Sequence, residues 1–88
     1  MSRTSEKDRR VVELEAGTFR IIAVYRGVTT VSKLRGVSRA ALYDALNSGK
    51  TCLESRWMFG MDWDVRATAF HGLTVDQFMS QYPGHCHL

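Results

Sequence analysis

Residues 28–47, with the sequence VTTVSKLRGVSRAALYDALN, constrain the fold of this chain more than any other stretch. We expect a short helix over 30–35, followed by a turn at Gly36, because glycine adopts a left-handed conformation without steric cost. Ser38 is placed to cap a second helix over 39–47, since its hydroxyl can accept a hydrogen bond from a first-turn amide. The apolar residues of this second helix fall on one side, as one buried face requires. They are Ala41, Leu42, Ala45 and Leu46.

Two helices joined by a short turn that contains glycine form the helix-turn-helix arrangement, whose second helix enters the major groove of DNA. If Leu42 and Ala45 point inward, the other side of the helix faces outward. Arg39 lies in its first turn, where base contacts concentrate, and an arginine can hold guanine with two hydrogen bonds. The residues predicted to contact DNA are Thr29, Thr30, Lys33, Ser38, Arg39, Ala40, Tyr43, Asp44, Asn47 and Lys50.

Two of these predictions leave alternatives open. Thr29 and Thr30 stand at the start of the first helix, where free amides and a hydroxyl can hold a phosphate, or where a threonine simply caps the helix. Asp44 can accept a hydrogen bond from a cytosine amino group, or it can repel phosphate and hold Arg39 or Lys33 in place.

Four groups of residues in this stretch form a pattern: Val31-Ser32, Gly36-Val37-Ser38, Leu42 and Ala45-Leu46-Asn47. The pattern resembles the signature of the Lac repressor family and, more loosely, of λ-repressor-like regulators and Cro-like phage proteins. The run GVSRAALYDALNSGK also resembles the antidote proteins of small toxin–antitoxin modules. The resemblance implies a DNA-binding regulator in which another helix follows the reading helix.

Arg35 departs from this signature, in which a small or apolar residue precedes the turn glycine. Two explanations are open. Either the first helix is rotated, or the stem of Arg35 lies over the core while its charged head reaches solvent.

The length of 88 residues favours one domain over 1–88, near the lower limit for a core that is stable alone, so we expect a homodimer. The net charge is only +3, and the positive charge is densest over 1–10 and 33–50. We expect no membrane span and no signal peptide, because no long apolar run is present. Cys52 and Cys86 are too few for a disulfide framework, which favours the cytoplasm.

On the N-terminal side of the helix pair we expect a flexible arm over 1–7 and a helix over 8–26. The helix prediction rests on apolar positions spaced three and four apart, as one buried helical face requires. These positions are Val11, Leu14, Thr18, Ile21, Ile22 and Tyr25. Gly17 can divide this helix, and Gly27 is expected to end it in the left-handed conformation.

On the C-terminal side, two pairs of residues have the spacing of a helix capping box. The pairs are Thr51 with Glu54 and Thr74 with Gln77. They predict helices over 52–59 and 75–81, the latter within a C-terminal helix and tail over 72–88. Between them, 65–70 is expected to be a short strand or an extended link. The predicted fold class is therefore all-α, with four or five short helices and a central helix-turn-helix.

Aromatic residues and methionines are concentrated at 57–63, which fits either a core or an interface with another protein. The helix over 75–81 likewise docks on a partner subunit or on its own core. The residues predicted for a dimer or partner interface are Trp57, Met61, Trp63, Phe70, Val75, Phe78 and Met79. Asp62 and Asp64 are expected to be solvated charges.

The function predicted from these features is sequence-specific binding of double-stranded DNA by a small transcriptional repressor, dimeric on an inverted repeat. One alternative is an antitoxin that also binds a toxin through 57–63 and 74–82. The other is a module whose helix pair docks protein. No catalytic set is recognisable, and no cofactor is expected. No metal site is expected either, because the spacing of His85, Cys86 and His87 is not that of structural zinc.

Overall fold

The computed structural model of the protein describes residues 10–70 and 72–87, except for the side chains of residues 68, 70 and 87. The fold is mixed α/β, so the all-α prediction is wrong. Its elements are β1 (Val11–Glu15), β2 (Ile21–Tyr25), α1 (Val28–Arg35), α2 (Arg39–Ser48), β3 (Ser55–Phe59), α3 (Gly60–Phe70), α4 (Val75–Gln81), a 3₁₀ turn (Pro83–His85) and β4 (Cys86–His87).

The strands form one sheet in the order β3-β1-β2-β4. Strand β1 is antiparallel to both of its neighbours, and Glu13 at its centre lies opposite Ala23 of β2 and Trp57 of β3. The short β4 runs parallel to β2 through Cys86 and His87. The sheet therefore has a three-stranded antiparallel body whose centre is β1.

The helix predicted over 8–26 is instead the hairpin of β1 and β2. The residues of β1 from Val11 to Leu14 are all buried, because helices cover both faces of the sheet. A strand buried on both faces does not alternate between apolar and polar residues, and a short apolar run of this kind can mimic helical spacing. Gly17 lies in the hairpin turn, and Gly27 has an extended φ of −178°, so the predicted left-handed stop is also wrong.

The helix predicted over 52–59 is replaced by a tight turn and strand β3. Cys52 and Ser55 exchange two backbone hydrogen bonds of 2.8 and 3.0 Å around the turn. Its two central residues, Leu53 and Glu54, have φ angles of 54° and 66°. Positive φ at both central positions defines a type I′ turn, which joins antiparallel strands. With Glu54 in the left-handed region, the capping box with Thr51 does not form.

The last helix is correctly predicted, whereas the strand or link over 65–70 is wrong because those residues lie within α3. Thr74 accepts a hydrogen bond from the backbone amide of Gln77 at 3.2 Å. The Gln77 side chain in turn accepts one from the amide of Thr74 at 2.9 Å. This reciprocal capping box starts α4 at Val75, as the sequence spacing predicts.

Helices cover the sheet on both sides and create two separate apolar cores. On the helix-pair face, α1 and α2 pack on the sheet. Its buried residues are Val11, Ala23, Tyr25, Val28, Val31, Leu42, Ala45 and Trp57. On the α3–α4 face, the two later helices pack on the opposite side. Its buried residues are Val12, Leu14, Val24, Trp63, Ala67, Val75 and Phe78.

Candidate nucleic-acid interface

The local geometry of the helix pair agrees with the sequence predictions for its turn. Gly36 has a φ of 68° and donates its amide to the carbonyl of Ser32 at 3.0 Å, which ends α1 in the left-handed conformation. The Ser38 hydroxyl accepts a hydrogen bond from the amide of Ala41 at 3.1 Å and caps α2. Leu42 and Ala45 point inward and are buried. The positive φ and the cap are therefore confirmed. The predicted buried face is confirmed for Leu42 and Ala45 but is wrong for Ala41, which is exposed.

The residues predicted to contact DNA are all accessible. Thr30 is half-buried, and the other nine are exposed: Thr29, Lys33, Ser38, Arg39, Ala40, Tyr43, Asp44, Asn47 and Lys50. The outward face of α2 thus presents a cation in its first turn, an aromatic hydroxyl in its middle and an amide near its end. Within residues 10–70 and 72–87, Asp44 is in no ion pair, so it does not hold Arg39 or Lys33 in place.

A cleft of about 500 Å³ lies beside the N-terminal turn of α1 and reaches Tyr43 of α2. Arg26, Thr29 and Thr30 line it. The N-cap of α1 is Gly27, and no side chain bonds to the first-turn amides. The interpretation of the two threonines as helix caps is therefore wrong, because both lie inside the helix. Sequence reasoning missed Arg26, although a basic residue directly before the glycine that starts α1 was a usable signal.

A buried polar network joins the helix pair to the sheet. The carboxylate of Glu13, only 4% exposed as a residue, lies on the helix-pair face of β1. Its Oε1 accepts hydrogen bonds from the Tyr25 hydroxyl at 2.8 Å and from Arg35 Nη1 at 2.7 Å. Its Oε2 accepts one from the Ser55 hydroxyl at 2.7 Å. Three strands and α1 therefore meet at one carboxylate.

The electrostatics of this network favour the charged form of Glu13. Burial by itself raises the pKa of a carboxyl group, since it penalises the ion. Here the hydrogen bonds from Ser55, Arg35 and Tyr25 outweigh that penalty and hold the pKa of Glu13 below its ordinary value. The pKa of Tyr25 is raised, first by burial and also by the neighbouring carboxylate, which disfavours a phenolate.

This network gives Arg35 a role that a small or apolar residue before the turn glycine could not have. Its guanidinium carbon lies 5.9 Å from the centre of the Trp57 ring. The head then turns to Glu13 and leaves the side chain 34% exposed. The second explanation is therefore wrong about the charged head, which pairs with a buried carboxylate instead of reaching solvent freely.

Most of the predicted dimer or partner interface is buried in the chain itself. Trp57 and Trp63 are each 2% exposed, and their indole nitrogens donate to backbone carbonyls of Cys52 and Leu73, both at 2.8 Å. Val75 and Phe78 are likewise core residues, and Met79 packs against them half-buried. The structure therefore favours the core over the interface for these five residues, because each sheet face uses its aromatic residues as core.

Two predicted interface residues remain. Met61 is 53% exposed. The side chain of Phe70 lies outside the described part of the structure, as do the predicted arm over 1–7 and the side chain of His87. Asp64 is not a purely solvated charge, because its Oδ1 accepts a hydrogen bond from the amide of Val75 at 2.8 Å. It thereby helps to fix the start of α4.

Three further features concern the cysteines, metal-ligating side chains and membrane-spanning helices. Cys52 and Cys86 are free thiols. Over residues 10–70 and 72–87, no three metal-ligating side chains come together. Across the same residues, none of the helices has both the length and the apolar character needed to cross a membrane.

Comparison with protein-family models, with curated proteins and with solved structures finds no match for this chain.

Proposed function

We propose that the protein binds double-stranded DNA in a sequence-specific way through α1 and α2, and that it represses transcription as a dimer on an inverted repeat. The observation that carries this proposal is the helix pair itself. Its second helix is capped at Ser38, buried at Leu42 and Ala45, and open to solvent along the opposite face. An exposed helix of this kind, held by a preceding helix, fits a major groove.

In the proposed complex, α2 reads bases and α1 holds the backbone. Arg39 in the first turn of α2 donates to guanine, and Asn47 lies near the other end of the helix. The cleft formed by Arg26, Thr29 and Thr30 receives a phosphate, since a cation and uncapped first-turn amides both favour an anion. Phosphate contacts of this kind set the register of the protein on the duplex.

The Glu13–Arg35 pair supports the proposal by fixing the angle of the reading helix. A helix that reads bases must enter the groove in one orientation, and apolar packing alone is not directional. The 2.7 Å ion pair ties the C-terminal end of α1 to the central strand, directly before the turn into α2. We therefore assign Arg35 to positioning and not to contact with DNA.

We place this activity in the cytoplasm, with promoter occlusion as its mechanism and with no cofactor or catalytic step. The antitoxin alternative relied on 57–63 and 74–82 as a toxin-binding surface. Trp57, Trp63 and Phe78 in those segments are buried in the chain itself. We therefore keep DNA binding as the single proposal.

The proposal is tested by fluorescence anisotropy with a pool of random duplexes across a salt series. We expect binding that weakens steeply with salt, because phosphate contacts release counterions. A site is then selected from the pool. On that site, Arg39→Ala should weaken binding by about 10- to 100-fold and relax the preference at one base pair.

The matched control is Arg20→Ala, which removes the same charge from an exposed position of the hairpin that is not among the predicted DNA contacts. It should leave both affinity and base preference unchanged. Lys50→Ala should weaken binding equally on all sequences and lower the salt slope by about 1. Failure of the wild type to bind any duplex at low salt would refute the proposal.

A further inference from the structure

Helix α3 carries a stripe of exposed apolar residues that its own chain does not cover. Met61 is 53% exposed and Val65 is 73% exposed, the highest value among the large apolar residues described. Ala69 continues the stripe and is also exposed. These residues are four apart, so they align along one side of the helix. A single exposed apolar residue is ordinary, whereas an aligned row indicates a surface that is covered by a partner.

Two charges border this stripe on the same flank. Asp62 and Arg66 each follow a stripe residue by one position, and both are exposed. Across residues 10–70 and 72–87, neither is in an ion pair. The flank is therefore negative and then positive along the helix, with both charges available to a partner.

We propose that a second copy of the chain docks on this stripe, with the two α3 helices antiparallel about a two-fold axis. In an antiparallel helix pair, the same flank of each helix faces its counterpart in reversed order. Asp62 then lies opposite Arg66 of the partner subunit, and Arg66 lies opposite the partner's Asp62. Met61, Val65 and Ala69 fill the seam between them. A two-fold contact must be self-complementary, and this charge order has that property.

The position of the stripe suits a DNA-binding dimer. A cleft of about 550 Å³ runs from Asp62, Val65 and Arg66 to the end of α2 at Asn47 and Gly49. The dimer surface and the reading helix are therefore neighbours across one cleft. The argument from the position of the stripe rests on the proposed function. The argument from the apolar stripe and its two charges does not.

The test measures self-association without DNA by sedimentation equilibrium, from about 10 to about 500 μM, because a face of one helix predicts a weak dimer. Asp62→Arg gives each copy two positive charges on the flank, and Arg66→Asp gives each copy two negative charges. Each variant alone should associate about tenfold more weakly than the wild type. An equimolar mixture of the two should recover association, because the positive flank of one variant then faces the negative flank of the other.

Val65→Asp should weaken association further, by about 100-fold, since it places two carboxylates at the centre of the seam. All three positions are exposed, so circular dichroism and thermal melting should match those of the wild type. Arg20→Asp is the matched control for charge reversal outside the stripe, and it should associate like the wild type.

The proposal is overturned if the wild type remains monomeric over this range, if the single reversals associate as the wild type does, or if their mixture stays monomeric. These results are independent of DNA. Loss of DNA binding with self-association intact overturns the proposed function and leaves the α3 contact standing. Binding to DNA by a strictly monomeric protein overturns the α3 contact and the dimeric part of the proposed function, and it leaves DNA binding through α1 and α2 standing.

Discussion

The two faces of the sheet are built from the same strand, yet they are held in different ways. On the α3–α4 face, Val12 and Leu14 of β1 belong to an apolar core. On the helix-pair face, Val11 is apolar but Glu13 is a buried carboxylate that collects three hydrogen bonds. Burial of apolar area is strong but non-directional, whereas a charged hydrogen-bonded pair has one geometry.

This difference indicates that the polar network has a role separate from apolar burial. Both faces bury apolar side chains, and the helix-pair face adds a polar network that sets the orientation of the helices that we propose to read DNA. A buried ion pair is weak evidence for stability as such, because desolvation offsets much of its attraction. Its more general contribution is to favour one orientation of the packed elements, which a helix that reads DNA would need.

The largest expected loss of stability comes from a substitution on the α3–α4 face. Trp63→Ala removes a large side chain that is 2% exposed, together with the hydrogen bond to the carbonyl of Leu73. We expect the free energy of unfolding to fall by about 4 kcal/mol, measured by urea denaturation. DNA affinity of the remaining folded protein should not change. An affinity loss at temperatures where the protein is folded would show that the two faces are not independent.

A smaller loss of stability, with a larger functional effect, is expected from Arg35→Met. The change removes the guanidinium beside Trp57 and leaves the buried carboxylate of Glu13 without its cation. We expect a loss of about 3 kcal/mol in the free energy of unfolding. Base discrimination on a selected DNA site should fall as well. The control is Arg35→Lys, which keeps the charge and should restore part of both quantities.

The double variant Glu13→Gln with Arg35→Met sharpens the same comparison. Because the two side chains interact directly, their combined cost in unfolding free energy should be smaller than the sum of the single costs. Additive costs would mean that the network is not a coupled unit.

The pH dependence of stability is expected to be a further, smaller effect. The pKa of Glu13 is held below its ordinary value in the folded protein, so the unfolded state binds the proton more readily. Its contribution is therefore complete at neutral pH and is lost as the pH falls through the lowered pKa. Urea unfolding between about pH 7 and pH 3 should show this loss, and Glu13→Gln should flatten the curve. An unchanged curve in the variant would contradict the assignment.

The smallest effect should be a gain in stability at the turn before β3. Leu53 and Glu54 both occupy the left-handed region, which strains residues other than glycine and asparagine. Replacing the pair by Asn-Gly, which favours a type I′ turn, should raise the free energy of unfolding by about 1 kcal/mol. Thermal melting measures the gain. The control is Thr51→Ala, which lies outside the turn and should leave the melting temperature almost unchanged.

The sequence predicts the parts of this fold that depend on local chemistry. The Ser38 and Thr74 caps and the turn at Gly36 follow from side chains acting within a few residues of their own backbone. The strands were not predicted, because β1 is buried on both faces by helices far away in the sequence. The apolar spacing from Val11 to Tyr25 then fits a helix as well as a hairpin.

In the candidate site, too, the sequence predicts local features but not contacts between residues that are far apart in the chain. The exposed face of α2 follows from helical geometry once Leu42 and Ala45 are placed inward. The partnership of Arg35 with Glu13 spans 22 positions, so no local pattern reveals it. The aromatic stretch over 57–63 fits a core or an interface at the sequence level, because composition does not distinguish the two. Trp57 and Trp63 are close in the sequence, yet they belong to opposite faces of the sheet.

The central position of β1 limits how this protein can be divided or grafted. Its neighbour β2 precedes the helix pair in the chain, but its other neighbour β3 follows it. A transplant of residues 28–48 alone would carry neither Glu13 nor Ser55. It would also lack the sheet residues that form the apolar core around Leu42. The smallest portable unit therefore runs from Arg10 to at least Phe59, and recombination within that interval would separate α2 from the strand to which the helix pair is tied.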